Sequence, residues 1–257
     1  MGSTIPVIDQ YLSQPDAFHP GVSLDNVIFS FHDHQLKILL IQLKGLHQWA
    51  LPGGFIFKEE EVEQAAARIL TGRTGLTDVF LQQFHVFSQR TRTLATMTRT
   101  MLEEEGHQLP KGHWLEQRFL TIGLYALVQY ERVRPKPDEF SVACCWYDLN
   151  QLPELIFDHR EIIQKALDSL RRHLNYQPVG YTLLPKEFPL KSLQAIYETI
   201  LDRRLERSNF NRKILSYNIL DRKDKLYTGA SNKAPYLYSF NEERYFQALK
   251  QGLDKAF

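Results

Sequence analysis

Cysteine is nearly absent from this 257-residue chain: two residues, adjacent, at Cys144 and Cys145. Neighbouring cysteines rarely bridge, so no disulfide framework is readable, and no Cys/His spacing suits a zinc site. The apolar run from Val142 to Trp146 predicts two buried thiols, and so sparing a use of cysteine fits a reducing cytoplasm. Long apolar runs are missing too. Nothing approaches the roughly 20 residues that span a bilayer, which argues against a membrane partner. Met1 to Pro20 lacks the basic-then-apolar pattern of a secretory signal. There is no internal repeat and no low-complexity tract. What is present, 43% hydrophobic and 12% aromatic residues, is ordinary globular composition. The length allows two modest domains with their own cores.

An excess of one charge is also lacking overall, since the formal net charge is +1. The distribution is uneven. Residues 171–257 hold 16 Lys and Arg against 9 Asp and Glu, whereas residues 1–170 hold 15 against 21. Such asymmetry points to a C-terminal end that meets a polyanion; two domains with merely unequal surfaces is the plainer alternative.

The N-terminal part reads as mixed strand and helix. Asn26–Phe31 and Leu36–Gln42 are short apolar runs around the hairpin-length His32-Asp33-His34-Gln35. An acidic stretch, Glu59 to Glu63, enters a helix over Val62–Leu70. Phe80–Phe87, Phe119–Gln129 and Ser141–Tyr147 read as strands, and Leu94, Met97, Met101 and Leu102 have helical spacing inside a long segment, Thr91–Gln117. Asp158 suits the N-cap of a helix from His159 to Leu174. Beyond Gln177-Pro178-Val179-Gly180, Leu190, Leu193, Ile196, Tyr197 and Ile200 form one helical face. A second helix starts at Ser208 with Phe210, Ile214 and Tyr217 inward. Strand-like Leu226-Tyr227-Thr228 and Tyr236–Phe240 follow, and a helix over Glu242–Leu253 closes the chain. Helix, turn, helix, hairpin is the order of a winged helix.

Two segments carry chemistry. Trp49 and Leu51-Pro52-Gly53-Gly54-Phe55 open a box in which Gly54, Glu60, Arg68, Leu70, Gly75 and Leu76 stand at the spacing of the Nudix signature, and the segment resembles that family. The family continues its arginine as Arg-Glu-x-x-Glu-Glu; here the run is Arg68-Ile69-Leu70-Thr71-Gly72-Arg73. Carboxylates three and four residues apart share one helix face, and that face in the family holds divalent cations, which need oxygen ligands. Ile69, Gly72 and Arg73 offer none, and Arg73 would repel a cation, so no metal and no cofactor is expected. Glu59, Glu60, Glu61 and Glu63, or Glu103, Glu104 and Glu105, read as solvated charge at helix ends; as relocated ligands they would support the rival reading, a magnesium-dependent Nudix hydrolase. Glu60 reads as a loop–helix contact paired with Arg68. Trp49, Arg68, Gln89, Arg90 and Arg118 are the candidates for a metal-free ligand pocket: Trp49 to stack on a ring or sugar, the arginines to meet phosphates or hydroxyls. Packing and surface pairing remain the alternatives for each, and His113-Trp114 is either a lid or local core.

In the C-terminal part Asn209, Arg212, Lys213 and Ser216 fall at i, i+3, i+4 and i+7, opposite the apolar stripe. Arg suits guanine, Asn adenine and Ser either, as a recognition helix in the major groove requires. Arg203, Arg204 and Arg207 precede it, placed for phosphates, and Arg222, Lys223, Lys225 and Lys233 belong to the hairpin. A helical pair with a merely basic surface, serving as a protein scaffold, is the alternative.

The whole chain resembles the Nudix-related transcriptional regulators, through Phe157-Asp158-His159-Arg160-Glu161-Ile162 and Asn209-Phe210-Asn211-Arg212-Lys213-Ile214-Leu215 as well as the box. The resemblance implies an α+β chain: a Nudix-like α/β/α sandwich with a mixed sheet over 1–155, a linker helix over 156–180 and a winged helix-turn-helix over 181–257. It implies a homodimeric, non-hydrolytic regulator with double-stranded operator DNA and a small-molecule effector as partners. The long segment Thr91–Gln117 looks closer to the sugar-responsive branch, which favours a pentose over an ADP-ribose-like effector.

Overall fold

Runs of buried residues start the sheet, seven in succession in its first strand and four in its second. Strands β1 (Phe18–His32) and β2 (Gln35–Leu43) are neighbours joined by Asp33-His34. Both turn residues have positive φ, 49° and 59°. That conformation matches the right-handed twist of a two-residue hairpin, and Asp and His are among the side chains that tolerate it. β1 is longer than its apolar stretch. Its first half pairs antiparallel with β4 (Gly53–Phe57) through a register shift between Phe18 and Ser23. In the computed structural model the described residues are 11–253 except 76, 78, 91–98, 101, 104, 105, 107, 139, 175 and 226–233.

The remaining strands are β3 (Trp49–Ala50), β5 (Leu81–Phe87), β6 (Leu120–Leu127) and β7 (Ser141–Asp148). They complete a seven-stranded mixed sheet in the order β3-β2-β1-β6-β5, with β4 on β1 and β7 on β2. β1 and β6 run parallel from Val22↔Leu120 to Phe29↔Leu127, and the other pairs are antiparallel. Helix α1 (Val62–Thr74) lays Ala65, Ala66 and Ile69 against Leu24, Ile56 and Leu124. Two alanines at zero exposure let the helix approach closely enough for the Asn26 amide to donate to the Ala66 carbonyl at 3.2 Å. A second apolar cluster joins Ile28, Leu39, Ile41, Leu70, Ala126 and Cys144.

The chain divides into two compact units, Met1–Phe29 with Lys37–Ala166, and Ser30–Leu36 with Leu167–Phe257. The division falls within helix α2 (His159–His173). In the second unit α3 (Leu190–Leu201) buries Leu193, Ile196, Tyr197 and Ile200, and α4 (Arg207–Ser216) buries Phe210 and Ile214. Strands β8 (Phe188–Pro189), β9 (Leu220–Lys225) and β10 (Tyr236–Phe240) form a sheet in the order β8-β10-β9, followed by α5 (Glu242–Gln251). Two helices, then a small antiparallel sheet with a hairpin, make a winged helix.

Several expectations need correction. Cys144 is buried but Cys145 is exposed, because successive side chains of a strand point to opposite faces. Burial pushes the Cys144 thiol up to about 11. The second helix of the C-terminal unit starts at Arg207, not Ser208, and Tyr217 is its half-buried C-cap. Trp114 is buried at 6% exposure, stacked on Phe18, so His113-Trp114 belongs to local core rather than to a lid. Leu76, Leu94, Met97, Met101, Glu104, Glu105, Leu226, Tyr227, Thr228 and Lys233 lie outside the described residues.

Candidate nucleic-acid interface and effector site

The box forms a strand–loop–helix. Gly53 passes so close to β1 that a Cβ would stand 2.5 Å from Asp25 Oδ1 and 2.8 Å from the Leu24 carbonyl. Glu61 caps α1, its own N–H donating to Gln64 Oε1 at 2.9 Å. Gly75 ends the helix at φ 71°, the left-handed conformation that glycine adopts without strain. Between these ends Arg68 forks onto Glu60, Nε to Oε1 and Nη2 to Oε2 both at 2.8 Å, and also donates to the Phe55 carbonyl at 2.9 Å. Its guanidinium lies 4.7 Å from the centroid of the Phe57 ring. The Phe57 N–H donates to Glu60 as well, at 3.2 Å. Burial alone would raise the Glu60 carboxyl; the Arg68 hydrogen bond, the Phe57 amide and the Arg68 charge outweigh it and hold it below its ordinary value. Arg68 and Glu60 therefore brace the loop against the helix.

The positions of the three missing carboxylates are now specific. Ile69 is 7% exposed, and its Cδ1 stands 3.0 Å from where a Cβ on Gly54 would be. Gly72 faces open space. Arg73 is 6% exposed, pairs with Asp138 and donates to Ser141 Oγ at 3.4 Å. Arg73, which the sequence offers only as a charge that would repel a cation, is a buried structural cation with its own carboxylate. An apolar side chain, a glycine and a guanidinium do not fit the divalent ions of the Nudix fold. Among the described residues no three His, Cys, Asp or Glu side chains group as a metal site.

The pocket candidates fall in separate places. Trp49 lies on β3, edge-to-face with Tyr147 at 4.8 Å. Gln89 and Arg90 follow β5 at the other end of the strand path, where Arg118 donates to the Ser88 carbonyl. Gln89 Nε2 donates to Glu161 Oε2 on α2 at 2.7 Å, and Lys165 pairs with the same carboxylate at 2.8 Å. The loop carrying Gln89, Arg90 and the Ser88–Arg118 link is thus tied to α2, whereas Arg68 is committed to Glu60. The Glu161 tie had no signal in the sequence, because partners 72 residues apart meet only through the sheet. A buried pair was also missed: the Leu51 N–H donates to His159 Nδ1 at 2.9 Å, which leaves the Nε2 proton facing Asp25 at 3.7 Å.

In the C-terminal unit α4 presents its polar stripe outward. Asn209, Arg212 and Ser216 are exposed and Lys213 is half-buried. Arg212 donates to Asn209 Oδ1 at 2.8 Å, and the Ser216 hydroxyl donates back to the Lys213 carbonyl at 2.7 Å. Desolvation and the Arg203 charge lower the Lys213 ammonium from its ordinary value. Arg203, Arg204 and Arg207 are exposed in the turn and first helical residue. Glu206, which the sequence reading missed, accepts from the N–H groups of Ser208 and Asn209 at 2.8 and 2.7 Å and caps the helix. A carboxylate just ahead of Ser-Asn is the signal that was available. On the hairpin, Arg222 and Lys225 both lie over the Tyr236 ring, 3.4 and 5.1 Å from its centroid.

The comparisons with known proteins follow this division. Residues 20–166 match the NUDIX domain model and residues 180–240 that of the NrtR DNA-binding winged helix domain. The chain is similar to the ADPR responsive transcriptional repressor NtrR of Acinetobacter baylyi, 29% identical over 233 residues, which cover 88% of this chain and 84% of the relative. It is also similar to the ADP-ribose pyrophosphatase of Methanocaldococcus jannaschii, 30% identical over 149 residues, covering 57% and 72%. The fold is that of the crystal structure of Shewanella oneidensis NrtR complexed with a 27mer DNA, with a TM-score of 0.70 and 24% identity over 92% of this chain and 99% of that one. More than half of the sequence carries the first of these domains, so the chain belongs to the Nudix family, its Nudix domain followed by a winged helix of the NrtR type.

Proposed function

We propose that this protein is a ligand-responsive, DNA-binding transcriptional repressor whose Nudix domain senses an effector instead of hydrolysing it. The observation that carries the reading is the pairing of two features in one chain: an α4 whose outward stripe is Asn209, Arg212, Lys213 and Ser216, and a Nudix helix whose metal positions are Ile69, Gly72 and Arg73. The effector-binding unit is assigned to 1–155, the connecting helix to 156–180 and the DNA-binding unit to 181–257. Two copies meet a palindromic operator with half-sites roughly 34–36 Å apart, α4 in the major groove. Arg203, Arg204 and Arg207 approach phosphates, with Lys225 from the hairpin and Lys233 as a further basic residue.

Of the two effector chemistries left open by the sequence, pentose and ADP-ribose-like, the relatives favour the second: one is named as ADPR-responsive and another as an ADP-ribose pyrophosphatase. Nothing in the comparisons supports the sugar-responsive branch. The pyrophosphate of an ADP-ribose-type molecule is assigned to Arg90 and Arg118 and its hydroxyls to Gln89, while Trp49, at the other end of the strand path, is left out of that site. It regulates only if it binds the DNA-competent arrangement and the other one with affinities that differ by about 1–3 kcal/mol.

The test is selection of bound sequences from random duplex DNA at physiological salt, then titration of the complex with ADP-ribose. A palindromic motif and its release by ADP-ribose are expected; Arg212→Ala is expected to lose about 1–3 kcal/mol and to relax one base position. Absence of a motif sinks the regulator. The similarity to a pyrophosphatase supports one rival, hydrolysis with relocated ligands, and steady product release from ADP-ribose with magnesium, abolished by Glu60→Gln, would replace the sensor reading.

A further inference from the structure

The β9–β10 hairpin carries an arrangement that the recognition helix does not explain. Its register runs Phe240↔Leu220, Ser239↔Asp221 and Tyr238↔Arg222, then shifts so that Tyr236 opposes Lys225. Three steps along β9 are matched by two along β10, so β9 carries a bulge. In a regular ladder Arg222 and Lys225 would point to opposite faces. The bulge brings both over one ring, with Arg222 Cζ 3.4 Å and Lys225 Nζ 5.1 Å from the Tyr236 centroid. The two acidic residues of β9 do not neutralise them: Asp221 is bound by Arg244 and accepts from Asn241 Nδ2 at 3.2 Å, which fastens the hairpin base to α5, and Asp224 is exposed and makes no ion pair among the described residues. Arg222 is exposed and makes no ion pair among the described residues.

A guanidinium stacked on a ring keeps all five N–H donors in its plane, at the edge, while losing the freedom of its long side chain. We propose that Arg222 is a DNA contact of the wing and that Tyr236 is its positioning residue, holding the guanidinium plane ready for the acceptor oxygens of a duplex. The inference rests on the DNA-binding reading above. It makes the bulge a functional feature of the hairpin and gives the wing a preset donor edge, where lysines alone would supply diffuse charge.

The experiment is equilibrium binding of the full-length protein to the duplex that the wild type selects, across a salt series. Arg222→Ala is expected to weaken binding roughly ten-fold. Tyr236→Leu should weaken it about two- to five-fold, Tyr236→Phe should leave it unchanged, and Tyr236→Leu should add nothing in the Arg222→Ala background. If the acceptor is a phosphate, the Arg222→Ala loss is equal for all duplexes and the salt slope falls by about one; if it is a base edge, the loss is confined to the selected duplex and a flanking preference disappears. Either pattern supports the contact. Unchanged binding by Arg222→Ala overturns it, and an equal effect of Tyr236→Leu in both backgrounds overturns the positioning role. Arg212→Ala is the control: a loss there with none at Arg222→Ala leaves the DNA-binding reading standing, and a wild type that selects no duplex overturns both.

Discussion

Arg73 stands where a Nudix enzyme would place a carboxylate, and its guanidinium is 6% exposed against Asp138 and Ser141. A buried cation stripped of its partner, or a carboxylate stripped of its cation, retains the desolvation cost without the attraction. Arg73→Ala is therefore expected to cost about 3 kcal/mol of stability, read by urea unfolding; a loss within error of zero would mean that the pair contributes nothing to the fold. Glu60 gives a pH dependence of definite sign. Its folded carboxyl lies below the ordinary 4.5, so its contribution is complete above that value and is lost as pH falls through the lower folded value. Melting temperatures of the wild type and Arg68→Ala should thus differ at neutral pH and converge in acid. A constant difference down to the acid limit would place the benefit in packing on Phe57 instead of in charge.

At the scale of elements, α1 holds one avoidable weakness. Gly72 is interior to the helix and a Cβ there would meet nothing within 4 Å. Gly72→Ala should stabilise the domain by up to about 1 kcal/mol, visible as a higher urea midpoint with unchanged slope; destabilisation would show that something unseen occupies the space. Elements with strong periodicity were legible in the chain: α1, the start of α2, the buried face of α3 and the β1–β2 hairpin all follow from spacing. What was not legible depended on distant partners. The first half of β1, Phe18 to Asp25, contains Pro20 and Gly21 and has no strand alternation; it is extended because β4 and β6 pair with it. The sequence puts Arg222, Lys223 and Lys225 on the hairpin but its strand-like run at Leu226-Tyr227-Thr228; the charged Leu220–Lys225 has no apolar alternation and is a strand by its pairing with β10. The same limit applied to the candidate sites. The stripe on α4 is a local pattern and could be read, whereas Gln89 on Glu161 and Leu51 on His159 join segments 72 and 108 residues apart.

At the scale of the whole molecule the proposal makes a thermodynamic demand. If ADP-ribose lowers affinity for the operator by some factor, the operator must lower affinity for ADP-ribose by the same factor. Calorimetric titration of ADP-ribose into the free protein and into its duplex complex should give two dissociation constants whose ratio equals the shift in duplex affinity. Equal constants beside an ADP-ribose-dependent release of DNA would point to a chemical change in the effector or the protein, not to binding alone. No helix among the described residues is long and apolar enough to cross a membrane.

The three positions of the metal face differ in how they would receive a carboxylate. Ile69 fills the space over Gly54 and Arg73 has Asp138 as a counter-charge, so two of the three positions that carry carboxylates in the Nudix signature serve the core here. A glutamate returned to either one would enter a dry, already occupied place before any cation could reward it, and the third carboxylate alone binds nothing useful. Ile69→Glu and Arg73→Glu are each expected to lower stability, whereas a Cβ at Gly72 would meet nothing within 4 Å. Single substitutions at 69 or 73 thus cost stability before a metal site exists, so a carboxylate face could be rebuilt there only by simultaneous changes.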